Sequence, residues 1–106
     1  MRFLILALAL LIAACEAGPG KPRLYAQARS GERTEALLAR LYPPGTPEPR
    51  LIAALQADGF TVDAEANTAA REWTRFPCAN WLKISWRVDA HGDLLAVESK
   101  LDQACT

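Results

Sequence analysis

Few side chains in this 106-residue chain are equipped for chemistry. The one histidine, His91, stands in the run Asp89-Ala90-His91-Gly92-Asp93. Asp89, His91 and Asp93 offer three spaced metal ligands, yet one short loop supplies none of the outlying ligands of a closed site. The same residues are ordinary turn chemistry. Ser30, Ser85 and Ser99 lack the elbow that exposes a nucleophilic serine, and a Ser-His-Asp triad would have to run through a turn residue. Pro43–Pro49 holds one glycine and reads as a helix lead-in, not a phosphate loop. Cys78 and Cys105 lack the C-x-x-C spacing of a redox pair. These residues predict no catalysis, no cofactor and no metal. Contact chemistry is what remains. In the alternating run Trp81–Val88, Trp81 shares a side with Lys83 and Arg87, and tryptophan beside arginine is typical of binding hot spots. Partial burial of Trp81 under the 64–76 segment is the competing account. Arg75, Lys83 and Arg87 could instead meet anionic lipid headgroups, although 12 basic against 12 acidic residues leave no basic excess to draw them there. The same neutrality argues against nucleic acid as a partner.

The first 15 residues are all apolar except Arg2. As a helix the Phe3–Ala14 run spans about 18 Å, well short of a bilayer's roughly 30 Å hydrocarbon core. Residues 1–14 therefore read as a signal peptide. The stretch Ile12-Ala13-Ala14-Cys15 resembles the lipobox of bacterial lipoproteins. That resemblance implies a lipid on Cys15, cleavage just before it, and acylation of the new N-terminus. Several acyl chains, at about 0.8 kcal/mol per buried CH₂, make a stable membrane anchor. Position 16 is Glu, not the Asp that resembles an inner-membrane retention signal, which favours the outer membrane facing the periplasm. Residues 15–22 then form the lipidated cysteine and a flexible tether rich in Pro and Gly. Residues 23–106 form one small periplasmic domain. With Cys15 used by lipid, an oxidising compartment leaves Cys78 and Cys105 to form a disulfide.

The elements that must position these residues follow from periodicity. Glu32–Tyr42 has helical spacing, with Ser30 as its expected N-cap and Pro43-Pro44 as its stop. A second helix is expected over about 47–58, with Thr46 as cap, Pro47 at the first position and a Leu51/Ile52/Leu55 stripe. Gly59 and Phe60 supply its Schellman ending. Phe60–Asp63 is a short extended piece, Ala64–Ala70 carries no strong signal, and Glu72–Phe76, Trp81–Val88 and Leu94–Leu101 read as strands. A hairpin pairing residues whose numbers sum to 183 sets Val88 against Leu95, Trp86 against Val97 and Leu82 against Leu101. It puts Leu95, Val97 and Leu101 on the core face. The same sum sets Cys78 opposite Cys105, whereas a one-residue slip would turn the apolar face outward. Leu, Ile, Val and Phe number only 17 beyond Cys15, a thin core that a disulfide would reinforce.

The expected fold is α+β: two helices packed on an antiparallel sheet of about three strands, its C-terminal hairpin closed by a disulfide. Pro44-Gly45-Thr46 leading into a short helix, followed by the strand–turn–strand ending from Trp86 to Ser99, is similar to outer-membrane lipoproteins of the SmpA/OmlA type. These include the small accessory lipoprotein of the β-barrel assembly machinery. The resemblance covers Pro44–Gly59 and Trp81–Ser99 and implies the same two-helix, three-strand order. The functional expectation is a non-catalytic, membrane-anchored envelope lipoprotein that binds another envelope protein as an accessory module. An inhibitor or immunity-type lipoprotein blocking a wall- or membrane-attacking enzyme is the first alternative, and a lipid- or ligand-binding module the second.

Overall fold

The computed structural model describes residues 20–106. The expected signal peptide, Cys15 and the first part of the expected tether lie outside these residues. A 3₁₀ turn, Arg23–Gln27, precedes helices α1 (Thr34–Leu41) and α2 (Glu48–Ala57). Four strands follow: β1 (Thr61–Asp63), β2 (Thr68–Arg75), β3 (Cys78–Val88) and β4 (Leu94–Cys105). They form one antiparallel sheet in the order β1-β2-β3-β4. The α+β expectation holds, with β1, a three-residue strand, as the addition to the expected three.

β3 is central, and its pattern explains the core. Leu82, Ile84 and Trp86 point to the helix side and are buried, while Trp81, Lys83 and Arg87 alternate to the other side. Leu37 and Leu38 of α1, Leu51 and Leu55 of α2, Phe60, Ala69, Trp73 and Leu94 complete the buried cluster. α1 packs toward β4 and α2 toward β1. The helix-facing layer is also tied by polar contacts. The indole Nε1 of Trp86 donates to Glu48 at the start of α2 at 2.7 Å. Asp58, at the end of α2, accepts from the backbone N–H groups of Arg23 and Leu24, which seats the 3₁₀ turn. Arg71 lies 3.6 Å from the same carboxylate and donates to the Gly20 carbonyl, so the chain is held from Gly20 onward. Arg40 bridges Glu32 and the Gln27 carbonyl. Its guanidinium, helped by the Arg29 N–H, holds the Glu32 carboxyl down at about 2.

The Schellman ending of α2 forms as read. Phe60 N–H reaches the Leu55 carbonyl, Gly59 N–H the Gln56 carbonyl, and Gly59 has φ +84°. The start signals differ. Thr46 does not cap α2, because its hydroxyl donates back to the Pro43 carbonyl and closes the turn through Gly45. Pro47 takes the cap position instead. Ser30 likewise lies in a turn, with Glu32 N–H bonded to the Arg29 carbonyl. Helix α1 therefore starts after Arg33, with no side-chain cap.

The β3–β4 register runs at a constant sum of 183 from Cys78↔Cys105 to Arg87↔Ala96, then shifts so that Val88 faces Leu94. The bulge reverses the predicted facing at this end: Leu94 is buried and Leu95 is 49% exposed. Leu94 is pinned there by backbone bonds to Gly45 and Thr46. Leu101 does face Leu82, yet is half exposed and lies outside the buried cluster. There the Cys78–Cys105 disulfide joins the two strands.

Because the disulfide closes a loop of sequence separation 27, its loss should lower stability by about 3–4 kcal/mol on the chain-entropy account. Urea unfolding of the oxidised protein and of a Cys78→Ala/Cys105→Ala variant measures this. Hydrogen exchange should show protection lost first at Gln103–Cys105, not at Leu82–Trp86. Equal stability of the two proteins would remove the staple from the account of the fold.

Candidate interaction surfaces

The sheet face away from the helices carries the three residues singled out for contact. β3 places Trp81, Lys83 and Arg87 on it at every second or fourth position, and β2 and β4 set a neighbour beside each. Trp81 lies between Glu72 and Asp102, Lys83 between Ala70 and Lys100, and Arg87 beside Ala96. Trp81 is 39% exposed. The 64–76 segment does not bury it, because β2 lies beside β3 in the sheet rather than over it. Small residues at Ala70, Ser85 and Ala96 keep the relief low around the long side chains. A shallow depression of about 90 Å³ lies at Ser85, Arg87, Ala96 and Glu98. Such a face can make flat, multipoint contacts with charges of both signs around one aromatic anchor.

Arg75 does not belong to this surface. By strand alternation it falls on the helix side of β2, at the end the helices leave uncovered, so the structure separates it from Lys83 and Arg87. A second surface exists there that the sequence did not suggest. It is a concavity of about 430 Å³ floored by Trp73, Leu101 and the Asn80–Gln103 pair, with Lys21, Arg75 and Phe76 on its rim. The Gln103 amide donates to the buried Asn80 carbonyl at 2.9 Å. Tyr25 stands 6.2 Å from Trp73 and carries Lys21 Nζ 4.9 Å above its ring. Phe76, expected at the end of a strand, is instead in the two-residue turn between Arg75 and Cys78 and is 89% exposed. The signal available was the Phe-Pro-Cys run, since proline favours a turn over continuation of a strand.

Asp89 Oδ1 accepts from the His91 and Asp93 N–H groups, so this carboxylate shapes the β3–β4 turn. Ser85 faces Glu98 across the sheet, on the side away from the helices. Both sulfurs of Cys78 and Cys105 are spent in the disulfide. Among the described residues, no group of three or more His, Cys, Asp or Glu side chains is assembled as a metal site, and no helix is long and apolar enough to cross a membrane. Tyr42 has its phenol pushed upward, first by burial and then by the negative charge of Asp58. Comparison of the chain with family models, characterised proteins and solved structures returns no match.

The two β3 tryptophans should separate structural from surface roles. Trp86→Ala removes a buried ring and is expected to cost about 3–5 kcal/mol, whereas Trp81→Ala should cost about 1 kcal/mol or less. Denaturant unfolding of the two variants checks this, and a Trp81→Ala cost equal to that of Trp86→Ala would make Trp81 a packing residue.

Proposed function

We propose that the chain is a non-catalytic lipoprotein of the bacterial cell envelope, anchored through lipid on Cys15, whose α+β domain docks another envelope protein in the periplasm. The observation that carries this reading is the uncovered sheet face centred on Trp81, with Lys83 and Arg87 along the same strand. A ring held in place by its strand, and exposed at 39%, loses little conformational freedom when a partner covers it. The mixed charge beside it favours a protein surface over a nucleic acid. The lipobox supports the anchor, and the likeness to accessory lipoproteins of barrel assembly supports an accessory role at the outer membrane.

Pull-down from detergent-solubilised envelopes tests both parts of the reading. The wild-type chain should fractionate with membranes and retain an envelope protein, and Trp81→Ala should weaken that capture by about thirtyfold or more, the threshold of a hot spot. Cys15→Ser should abolish lipid attachment, read as the missing acyl mass. A Trp81→Ala chain that retains every partner overturns the docking face. Unmodified Cys15 in the membrane-derived protein overturns the anchor. A secreted hydrolase as the captured partner would reassign the module as an inhibitor.

A further inference from the structure

The concavity at the disulfide end differs in chemistry from the Trp81 face. Its rim carries Lys21 and Arg75, and its lining includes no Asp or Glu. Neither cation is ion-paired among the described residues. On the same rim the Phe76 ring stands almost wholly in solvent in the β2–β3 turn, while Trp73 of the lining is buried and Leu101 half exposed. Two cations and an apolar projection on one rim, with a partly apolar lining, match an anionic headgroup lying over the start of its acyl chains. A concavity of about 430 Å³ is of a size that holds a small ligand group.

The position of this end in the chain selects a membrane over a soluble partner. Lys21, on the rim, follows Cys15 by six positions, and six residues fully extended span about 20 Å at most. A lipid on Cys15 would therefore keep the rim close to the headgroup layer. Two cations and one ring bind weakly from solution, but tethering makes the contact intramolecular, and a weak site then suffices.

We infer that the Phe76 tip is a membrane seat: Lys21 and Arg75 bind the phosphate of an anionic phospholipid, and Phe76 inserts among the headgroups of the bilayer that holds the anchor. The inference rests on the lipid-anchor reading and adds an orientation to it. The disulfide end faces the bilayer, and the Trp81 face stands beside it, open to a partner.

The lipidated full chain, reconstituted into vesicles, decides the matter. Phe76→Trp places a fluorophore at the tip, and the parent protein supplies the background of the three native tryptophans. In an equal mixture of phosphatidylcholine and phosphatidylglycerol, the introduced ring should emit at shorter wavelength and be quenched by lipids brominated on the acyl chain. In phosphatidylcholine alone the quenching should be much weaker. Arg75→Gln in the same background should lower the seated-to-unseated ratio by about fivefold, as for one cation near an anionic surface. A protein that floats with vesicles but keeps an unquenched, water-like emission overturns the seat and leaves the anchor intact. Equal quenching in both vesicle types overturns headgroup recognition. An emission shift that follows protein concentration instead of lipid assigns the tip to a second copy of the chain. Failure to float with any vesicle overturns the anchor itself.

Discussion

The registry between β3 and β4 is the constraint on which the rest of the molecule depends. A strand presents alternate residues to opposite faces, so one register decides at once what β3 buries and what it displays. With Leu82 opposite Leu101 and Trp86 opposite Val97, β3 sends Leu82, Ile84 and Trp86 under the helices and Trp81, Lys83 and Arg87 to the open face. A slip by one residue would bury a lysine and an arginine in place of three apolar side chains. β2 is paired along the same strand from Thr68 to Arg75, so its facing follows from that of β3. The disulfide and the buried hairpin residues enforce the same alignment by independent means, one covalent and one hydrophobic.

That registry was legible in the sequence because both of its determinants are local patterns: alternation on each strand and two cysteines at matching distance from one turn. The ending of α2 was legible for a similar reason, since Gly59 and Phe60 carry a backbone requirement and a contact in adjacent positions. Features set by tertiary competition were not. Thr46 has the chemistry of a cap, but its hydroxyl closes the Pro43–Thr46 turn, and that same segment then bonds Leu94. Holding Leu94 at this position puts it in the core, and the bulge that results turns Leu95 outward. Two neighbouring leucines give hydrophobic patterning no basis for choosing between them. β1 has three residues and a single buried-side position, Val62, too short a run for alternation to register.

The same pairing explains why the molecule has one closed end and one open one. Where α1 and α2 cover the sheet, stability comes from buried leucines and tryptophan and from the Trp86–Glu48 and Asp58–Arg71 contacts. From Leu82 toward the disulfide the strands continue outside the buried cluster on the β4 side, with Leu101 half exposed and Phe76 exposed in the β2–β3 turn. An uncovered sheet end would fray, because exposed hydrogen bonds between strands contribute little net stability. The Cys78–Cys105 bond, with the Thr106 N–H bonded to the Pro77 carbonyl, holds that end without an apolar lid. The staple thus does at the open end what packing does at the closed one, and it leaves Leu101 half exposed beside the buried Trp73.

Net charge averages over this asymmetry. With 12 basic and 12 acidic residues, the chain as a whole offers an anionic surface no attraction. Screening, however, limits electrostatic contact to about 8–10 Å at physiological salt, so a surface responds to the charges it touches and not to the sum. The open sheet face mixes Glu72, Glu98 and Asp102 with Lys83, Arg87 and Lys100, so its local balance repeats that of the whole. The disulfide end does not, because its lining carries Lys21 and Arg75 and no carboxylate. The compensating acids are placed elsewhere: Glu32 is held by Arg40, Asp58 by Arg71 and the 3₁₀ turn, and Asp89 by its own turn. Each is fixed by a structural partner. A neutral composition is therefore compatible with a cationic tip, and the arrangement that produces the tip is the one that holds the fold together.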